Sequence, residues 1–245
     1  IKIAGQTNVG SKRSANQDDL FFLSSNKSAL AIIGVADGMG GHAGGEIASS
    51  LCLDVFKNTL AKIVKTKSFR KNSDIAEAMK NSALESNKSV RSKAEKEIIL
   101  AGMGTTLVVA SITDIQFTII NIGDSRGYLI RNGEIRQITK DHSWVAEQLE
   151  AGLIDEKTAE NHPQRNIITR AIGISDNVEV DVFQEPVQDN DIVLLCSDGL
   201  YPLVSENEII KKTNSPHLDN SCSDLISLAN QRGGPDNITV VIAQV

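Results

Sequence analysis

The 245-residue chain has few aromatic residues: six Phe, two Tyr and one Trp. It offers little for bases to stack on, and 31 Asp and Glu against 25 Lys and Arg leave a net charge of −6. Both features argue against nucleic acid as a partner, because its binding rests on cationic surface and stacking platforms. Cysteine is also scarce. Cys52, Cys196 and Cys222 are widely separated, odd in number and form no CxxC pair. Neither a disulfide framework nor a zinc knuckle is supported, and a reducing, cytoplasmic setting fits best. Long apolar runs are missing: "ALAIIGVA" and "IVLLC" fall far short of the roughly 20 residues a membrane helix needs, so no membrane insertion is expected of this chain. There is no basic start followed by an apolar signal region, and the absence of an initiator Met suggests an excised domain.

What is present is a chain with 40% apolar residues, enough to bury a core. Runs bounded by turn residues predict strands near Ile1–Thr7, Leu20–Leu23, Ala29–Val35, Thr105–Ser111, Gln116–Ile122, Gly127–Ile130, Val178–Phe183, Ile192–Cys196 and Ile238–Val245. Between Val35 and Ala101 the spacing becomes helical, with "EIASSLCLDVFKNTLAKI" and "SDIAEAMKNSALESNKSVRSKAEKEI" predicting two long helices. Shorter helices are expected at Ser143–Ala151, Ser205–Lys211 and Leu218–Gln231, the middle one opening on the capping pattern "SENE". The Asn132-Gly133 turn in "YLIRNGEIRQI" marks a hairpin. Neither a repeat nor a low-complexity linker divides the chain, which reads as one α+β domain of antiparallel sheets with helices packed outside, and as a monomer.

The acids follow a pattern of their own. A turn near Ser25–Ser28 would bring Asp18 and Asp37 together at the open end of a hairpin. "DIVLLCSDG" ends a strand at Asp198 and "GGPDNITVVIAQV" begins one at Asp236, so antiparallel pairing puts these two at one edge. The hairpin turning at Asn132-Gly133 has Asp124 at one open end and Asp141 at the other. Turn chemistry explains any single Asp-Gly, but it does not explain the joint pattern. Clustered carboxylates raise one another's pKa unless a cation neutralises them. Hard oxygen ligands without a matching Cys or His set select Mg²⁺ or Mn²⁺. Glycines beside Asp37, Asp124 and Asp198 would permit close backbone approach, so that the Gly38 carbonyl could itself be a ligand.

In chain order the motifs are "RSANQD" (13–18), "DGMGGH" (37–42), "GTT" (104–106), "GDSRGY" (123–128), "DHS" (141–143), "HPQRNIITRAIG" (162–173), "CSDGL" (196–200) and "GGPDNIT" (233–239). This series resembles the metal-dependent serine/threonine protein phosphatases of type 2C, particularly the bacterial form, over nearly the whole chain. The resemblance implies a four-layer αββα sandwich of two antiparallel sheets flanked by helices, with a dinuclear site at one edge. It implies that Asp37 bridges two metals, that the Gly38 carbonyl binds one, and that Asp198 and Asp236 bind the other. Asp18 would act directly or through water. A weaker third metal would lie between Asp124 and Asp198. Two ions roughly 4 Å apart could share a hydroxide and aim it in line at phosphorus, while Arg13 clamps the phosphate through a bidentate fork.

The chain departs from the eukaryotic pattern at Met39, where those enzymes carry a histidine thought to protonate the leaving alkoxide; bacterial members also have Met. His42 is an alternative donor, although a turn or surface role suits it better, and a water on the metal near Asp124 is preferred. His142 and His162 read as capping or loop-packing residues. Residues 144–169 correspond to the flap of bacterial relatives and are expected to shape substrate access. The substrates implied are phosphoserine and phosphothreonine proteins, plausibly those of a bacterial Ser/Thr kinase. Two alternatives are a catalytically silent binding module of the same fold, which should have lost ligands at Asp37, Asp198 or Asp236, and a metal-dependent phosphodiesterase or nuclease, which the acidic balance disfavours.

Overall fold

Apolar runs that end in acids and glycines become the strands of two antiparallel sheets. The computed structural model describes residues 1–25, 30–41, 44–66 and 72–245. Most of the expected turn at 25–28, together with His42, lies outside these residues. One sheet has five strands, β1 (Lys2–Asn8), β11 (Ile238–Gln244), β10 (Ile192–Cys196), β7 (Arg126–Arg131) and β8 (Glu134–Gln137), in that spatial order. The other runs β2 (Asp18–Ser25), β3 (Leu30–Met39), β5 (Leu107–Ile112), β6 (Gln116–Ile122) and β9 (Asp181–Pro186), with the short β4 (Gly104–Thr105) also on β3.

Burial explains why the central strands read as continuous apolar runs rather than as alternating ones. Along β3, Ala31, Ile33 and Val35 face the opposite sheet, where they meet Leu129, Val193, Leu195 and Val241. Ile32 and Ala36 face the other way, toward α1 (Gly44–Thr66) and α2 (Asn72–Lys96). Helix α1 presents Ala48, Cys52, Phe56 and Leu60 at four-residue spacing, a single stripe along one face. Burying a side chain such as Phe56 contributes about 2–3 kcal/mol. On the far side, α5 (Glu206–Thr213) and α6 (Leu218–Gln231) cover the first sheet through Ile209, Cys222, Leu225 and Ile226. The four layers expected of the sequence are therefore present. Among the described residues, no helix is long and apolar enough to cross a membrane.

Two strands differ from expectation. The run Thr105–Ser111 is broken at Thr106, whose N–H donates to the Asp37 carbonyl at 2.9 Å while its hydroxyl accepts from the Asp37 N–H at 2.9 Å. That side-chain bond replaces a ladder bond, so β4 and β5 are separate. The run Val178–Phe183 pairs only from Asp181 onward, opposite Asn121. Val178 and Val180 pack into the helix-side core without belonging to the ladder. Asn132 and Gly133 both have positive φ, 54° and 79°, as the tight hairpin between β7 and β8 requires. The segment beyond Ser143 forms two short helices, α3 (Trp144–Glu150) and α4 (Glu156–Glu160), each capped by a side chain: Ser143 accepts from Ala146 N–H and Asp155 from Thr158 N–H.

Candidate active site

Both sheets deliver acids to the same edge. Asp18 and Asp37 are direct partners in the β2–β3 ladder. Cys196 pairs with Val240, so Asp198, just beyond β10, and Asp236, just before β11, emerge on one side. Asp124 sits in the β6–β7 turn after Gly123, whose φ of 108° suits glycine. Asp37, Asp124, Asp198 and Asp236 line one cleft of about 290 Å³, together with Arg13, Gly38 and Met39. Asp18 lies beneath it, buried. The structure thus brings together all seven residues singled out from the sequence.

The electrostatics of this cleft are unfavourable without a counter-charge. Burial, followed by the neighbouring Asp18, Asp198 and Asp124, holds Asp37 well above the usual carboxylate range. Asp198 is raised by burial and then by Asp236, against the stabilising effects of a hydrogen bond from Asp37 and of Arg13. Asp37 and Asp198 are thus each held above the usual range by burial and by their acidic neighbours, a cost that a cation between them would relieve. Burial lifts Asp18 to about 7 despite hydroxyl bonds from Thr239 and Ser197. Asp124 is lifted to about 8 by burial, then by Asp198 and Asp141, with Arg126 opposing.

Neighbouring side chains hold these acids in place. Asp18 Oδ2 accepts from Ser197 Oγ and from Thr239 Oγ1, both at 2.7 Å, while its buried Oδ1 has no hydrogen-bond partner among the described residues. Gly38 is required by close approach, since a Cβ there would stand 2.0 Å from the Gly45 carbonyl oxygen. Asn237 ties the loop carrying Arg13 to the loop carrying Asp236: its Nδ2 donates to Val9 O at 2.8 Å and Ala15 O at 2.9 Å, and its Oδ1 accepts from Gln17 N–H at 2.8 Å. Arg13, half-exposed at the cleft mouth, donates from Nη2 to Asp236 Oδ2 at 2.7 Å. That bond raises its pKa further.

Some residues take other roles. Asp141, the hairpin partner expected for Asp124, is turned toward Arg126, which donates to it from Nε at 3.0 Å and from Nη2 at 2.7 Å. The Arg126 guanidinium also lies 3.6 Å over the Tyr201 ring. His142 and His162 are packing residues, as expected: His142 is buried against the Gly123 backbone, and His162 stacks on Trp144 with ring centroids 4.6 Å apart. Asn166 and Ile168, from the 144–169 segment, reach the cleft. Sequence reasoning assigned no role to Ser197, Thr239 or Asn237. Each lies within three residues of a cleft acid inside a quoted motif, and that proximity was the available signal.

The donor set suits a hard divalent ion. It consists of carboxylates, one of them with a buried oxygen that has no partner among the described residues, beside the tightly packed Gly38, and no described residue lining the cleft is a Cys or His. Among the described residues, no three His, Cys, Asp or Glu groups close around a common point. An ion held here would therefore need carbonyl or water oxygens as well, which Mg²⁺ and Mn²⁺ readily accept.

Known proteins resemble this chain in sequence and in fold. The family model described as Protein phosphatase 2C matches residues 6–238. The chain is 43% identical over 226 residues to the serine/threonine phosphatase stp of Listeria welshimeri, an alignment covering 89% of this chain and 86% of that protein. It superposes with a TM-score of 0.88 on the serine/threonine phosphatase PstP/Ppp of Mycobacterium tuberculosis, at 35% identity, covering 100% of this chain and 98% of that one. The TM-score is 0.84 against the catalytic domain of PstP in complex with 2 manganese ions, at 34% identity, covering 99% and 97% of the two chains.

Proposed function

Because the chain belongs to the protein phosphatase 2C family and is a serine/threonine protein phosphatase of that type, we propose that the acidic cleft is its active site. Asp37, the Gly38 carbonyl, Asp198 and Asp236 are assigned to two divalent cations, with Asp18 supporting them directly or through water. Asp124, with Asp198, is assigned to a weaker third ion. The observation that carries this reading is the convergence of Asp37, Asp124, Asp198 and Asp236 on one cleft, where burial and mutual repulsion raise Asp37 and Asp198 above the usual carboxylate range. Bound there, Mn²⁺ or Mg²⁺ would supply a water nucleophile for in-line attack on phosphorus and neutralise charge on the phosphoryl oxygens.

The chain's own residues supply the rest. Arg13 binds the phosphate at the cleft mouth, exchanging part of its bond to Asp236 for a fork on two phosphoryl oxygens. Met39 lines the cleft but has no proton to give, so no side chain at that position acts as the general acid. Asn166 and Ile168 line the cleft, which supports reading the 144–169 segment as a flap that limits access and excludes water. We assign residues 1–245 to this one catalytic domain. Its substrates are phosphoserine and phosphothreonine proteins, and its physiological counterpart is a Ser/Thr kinase.

The test is turnover of a phosphothreonine peptide with Mn²⁺, with Mg²⁺ and in excess EDTA, alongside an oligonucleotide. Metal-dependent release of phosphate from the peptide alone supports the reading. Full activity in EDTA, or preferential cleavage of the oligonucleotide, contradicts it.

A further inference from the structure

His142 stands outside the acidic cluster, yet its contacts converge on the turn that carries Asp124. Its main-chain N–H donates to the Gly123 carbonyl at 3.0 Å, and its Nδ1 accepts from the Gly123 N–H at 3.0 Å. A single residue thus grips both backbone polar groups of the glycine that precedes Asp124. Gly123 lies between β6 and β7, outside the ladders, at a positive φ. Its position is therefore set by such bonds and by close contact with Thr106, whose Cγ2 would lie 2.6 Å from a Cβ on Gly123.

The Gly123 bond also determines which imidazole nitrogen carries the proton. An Nδ1 that accepts from an amide has none, so the neutral ring carries it on Nε2. Nε2 lies 3.2 Å from Asp181 Oδ2, to which it donates; Arg170 Nη1, 3.0 Å from Nε2, cannot donate to a protonated nitrogen and instead donates to the other carboxylate oxygen, Asp181 Oδ1, at 2.7 Å. A carboxylate that orients a histidine from behind is the arrangement used to fix ring direction in metal sites and triads. Here the oriented ring points at a backbone amide instead. On its other side, the His142 carbonyl accepts from Thr169 N–H at 2.9 Å, and Ser143 bridges to Ile168. His142 therefore joins the Asp124 turn to both ends of the 144–169 segment.

We propose that His142 is a positioning residue: its imidazole, oriented by Asp181, fastens the Gly123–Asp124 turn to the base of the flap and sets how far the Asp124 carboxylate reaches into the cleft. This rests on the assignment of Asp124 to the weaker outer ion, and it predicts that flap position and occupancy of that ion are coupled through the contacts between His142 and Gly123.

The two amide replacements for histidine separate this role from simple core packing. In His142→Asn the side-chain oxygen can take the place of Nδ1 and accept from Gly123 N–H. In His142→Gln the amide reaches the Nε2 position near Asp181 but leaves Gly123 N–H without its acceptor. Wild type, both variants and Asp124→Ala are compared by Mn²⁺ binding isotherms of the initially metal-free protein, by amide hydrogen exchange at Gly123, and by the ratio of kcat on phosphothreonine peptide to kcat on p-nitrophenyl phosphate. His142→Gln should exchange Gly123 N–H about tenfold faster and weaken the weakest Mn²⁺ step about tenfold, the scale of one lost buried hydrogen bond. It should lower the kcat ratio as Asp124→Ala does, while His142→Asn stays within about twofold of wild type in all three. Wild-type exchange and Mn²⁺ binding in His142→Gln, or equal impairment of both variants with a shared fall in Tm, overturns the proposal. If Asp124→Ala loses the weak ion and His142→Gln does not, the positioning role alone fails. If Asp124→Ala itself retains it, the assignment of Asp124 fails and the positioning role fails with it.

Discussion

Asp18 and Asp37 stand directly opposite one another in the β2–β3 ladder, and one buried oxygen of Asp18 has no hydrogen-bond partner among the described residues. Two carboxyl groups in register at the end of a hairpin repel each other when ionised. The repulsion grows as Asp198 and Asp236 approach from the other sheet. In the metal-free chain this cluster opposes folding, and cations bound there would relieve it.

The cost should appear as a pH dependence of stability. Without metal, Asp18 titrates at about 7 and Asp124 at about 8, against about 3.9 for an unfolded aspartate. Between those values the folded chain keeps protons that the unfolded chain has released, so stability falls as pH rises. Melts in EDTA should show Tm decreasing between about pH 5 and pH 8, and saturating Mn²⁺ should reverse the decrease. A metal-free Tm that is flat or rises over this range would contradict the electrostatic account.

Asp37→Asn should separate stability from function. It removes the cost of burying an acid held well above its usual range and should raise the Tm of the metal-free protein, while turnover falls by roughly 10³-fold or more through loss of a shared metal ligand. Circular dichroism melts and phosphopeptide kinetics read the two effects independently. A variant that keeps half its turnover would remove Asp37 from the site.

Arg13→Ala should raise KM for a phosphopeptide by roughly 10- to 100-fold, the scale of charge-assisted hydrogen bonds to phosphate. Mn²⁺ affinity should change little, because Arg13 contributes no oxygen. If calorimetry showed Mn²⁺ binding collapsing while KM held, Arg13 would be a support for Asp236 and not a phosphate clamp.

Gly38→Ala places a methyl group 2.0 Å from the Gly45 carbonyl oxygen and 2.6 Å from that of Gln17. Backbone on both sides cannot yield cheaply, so a loss of about 2–4 kcal/mol in denaturant unfolding is expected. A change within about 0.5 kcal/mol would show that the strand end tolerates a side chain.

Much of this site is legible in the sequence because the central strands are buried on both faces. Runs such as Leu30–Ala36 exclude charge until the strand reaches the cleft, so an acid at position 37 marks the exit. Hairpin spacing then pairs Asp18 with Asp37. The supporting contacts are not legible in the same way, because they cross between distant segments: Ser197 and Thr239 hold Asp18 from 179 and 221 residues away. Spacing also placed Asp141 near Asp124, and it does act on that carboxyl, but its own carboxylate is held by Arg126. The break at Thr106 has a similar cause, since a side-chain hydroxyl competes with the ladder at a point where the apolar pattern continues.

The most direct measurement is anomalous diffraction from crystals of this protein grown with Mn²⁺. The account predicts two strong peaks in the cleft, with Asp37 touching both, the Gly38 carbonyl at one, and Asp198 and Asp236 at the other. A weaker third peak should lie between Asp124 and Asp198 and disappear in Asp124→Ala. A map with no anomalous density among these carboxylates, from protein that hydrolyses phosphothreonine peptide under the same Mn²⁺ concentration, would contradict it.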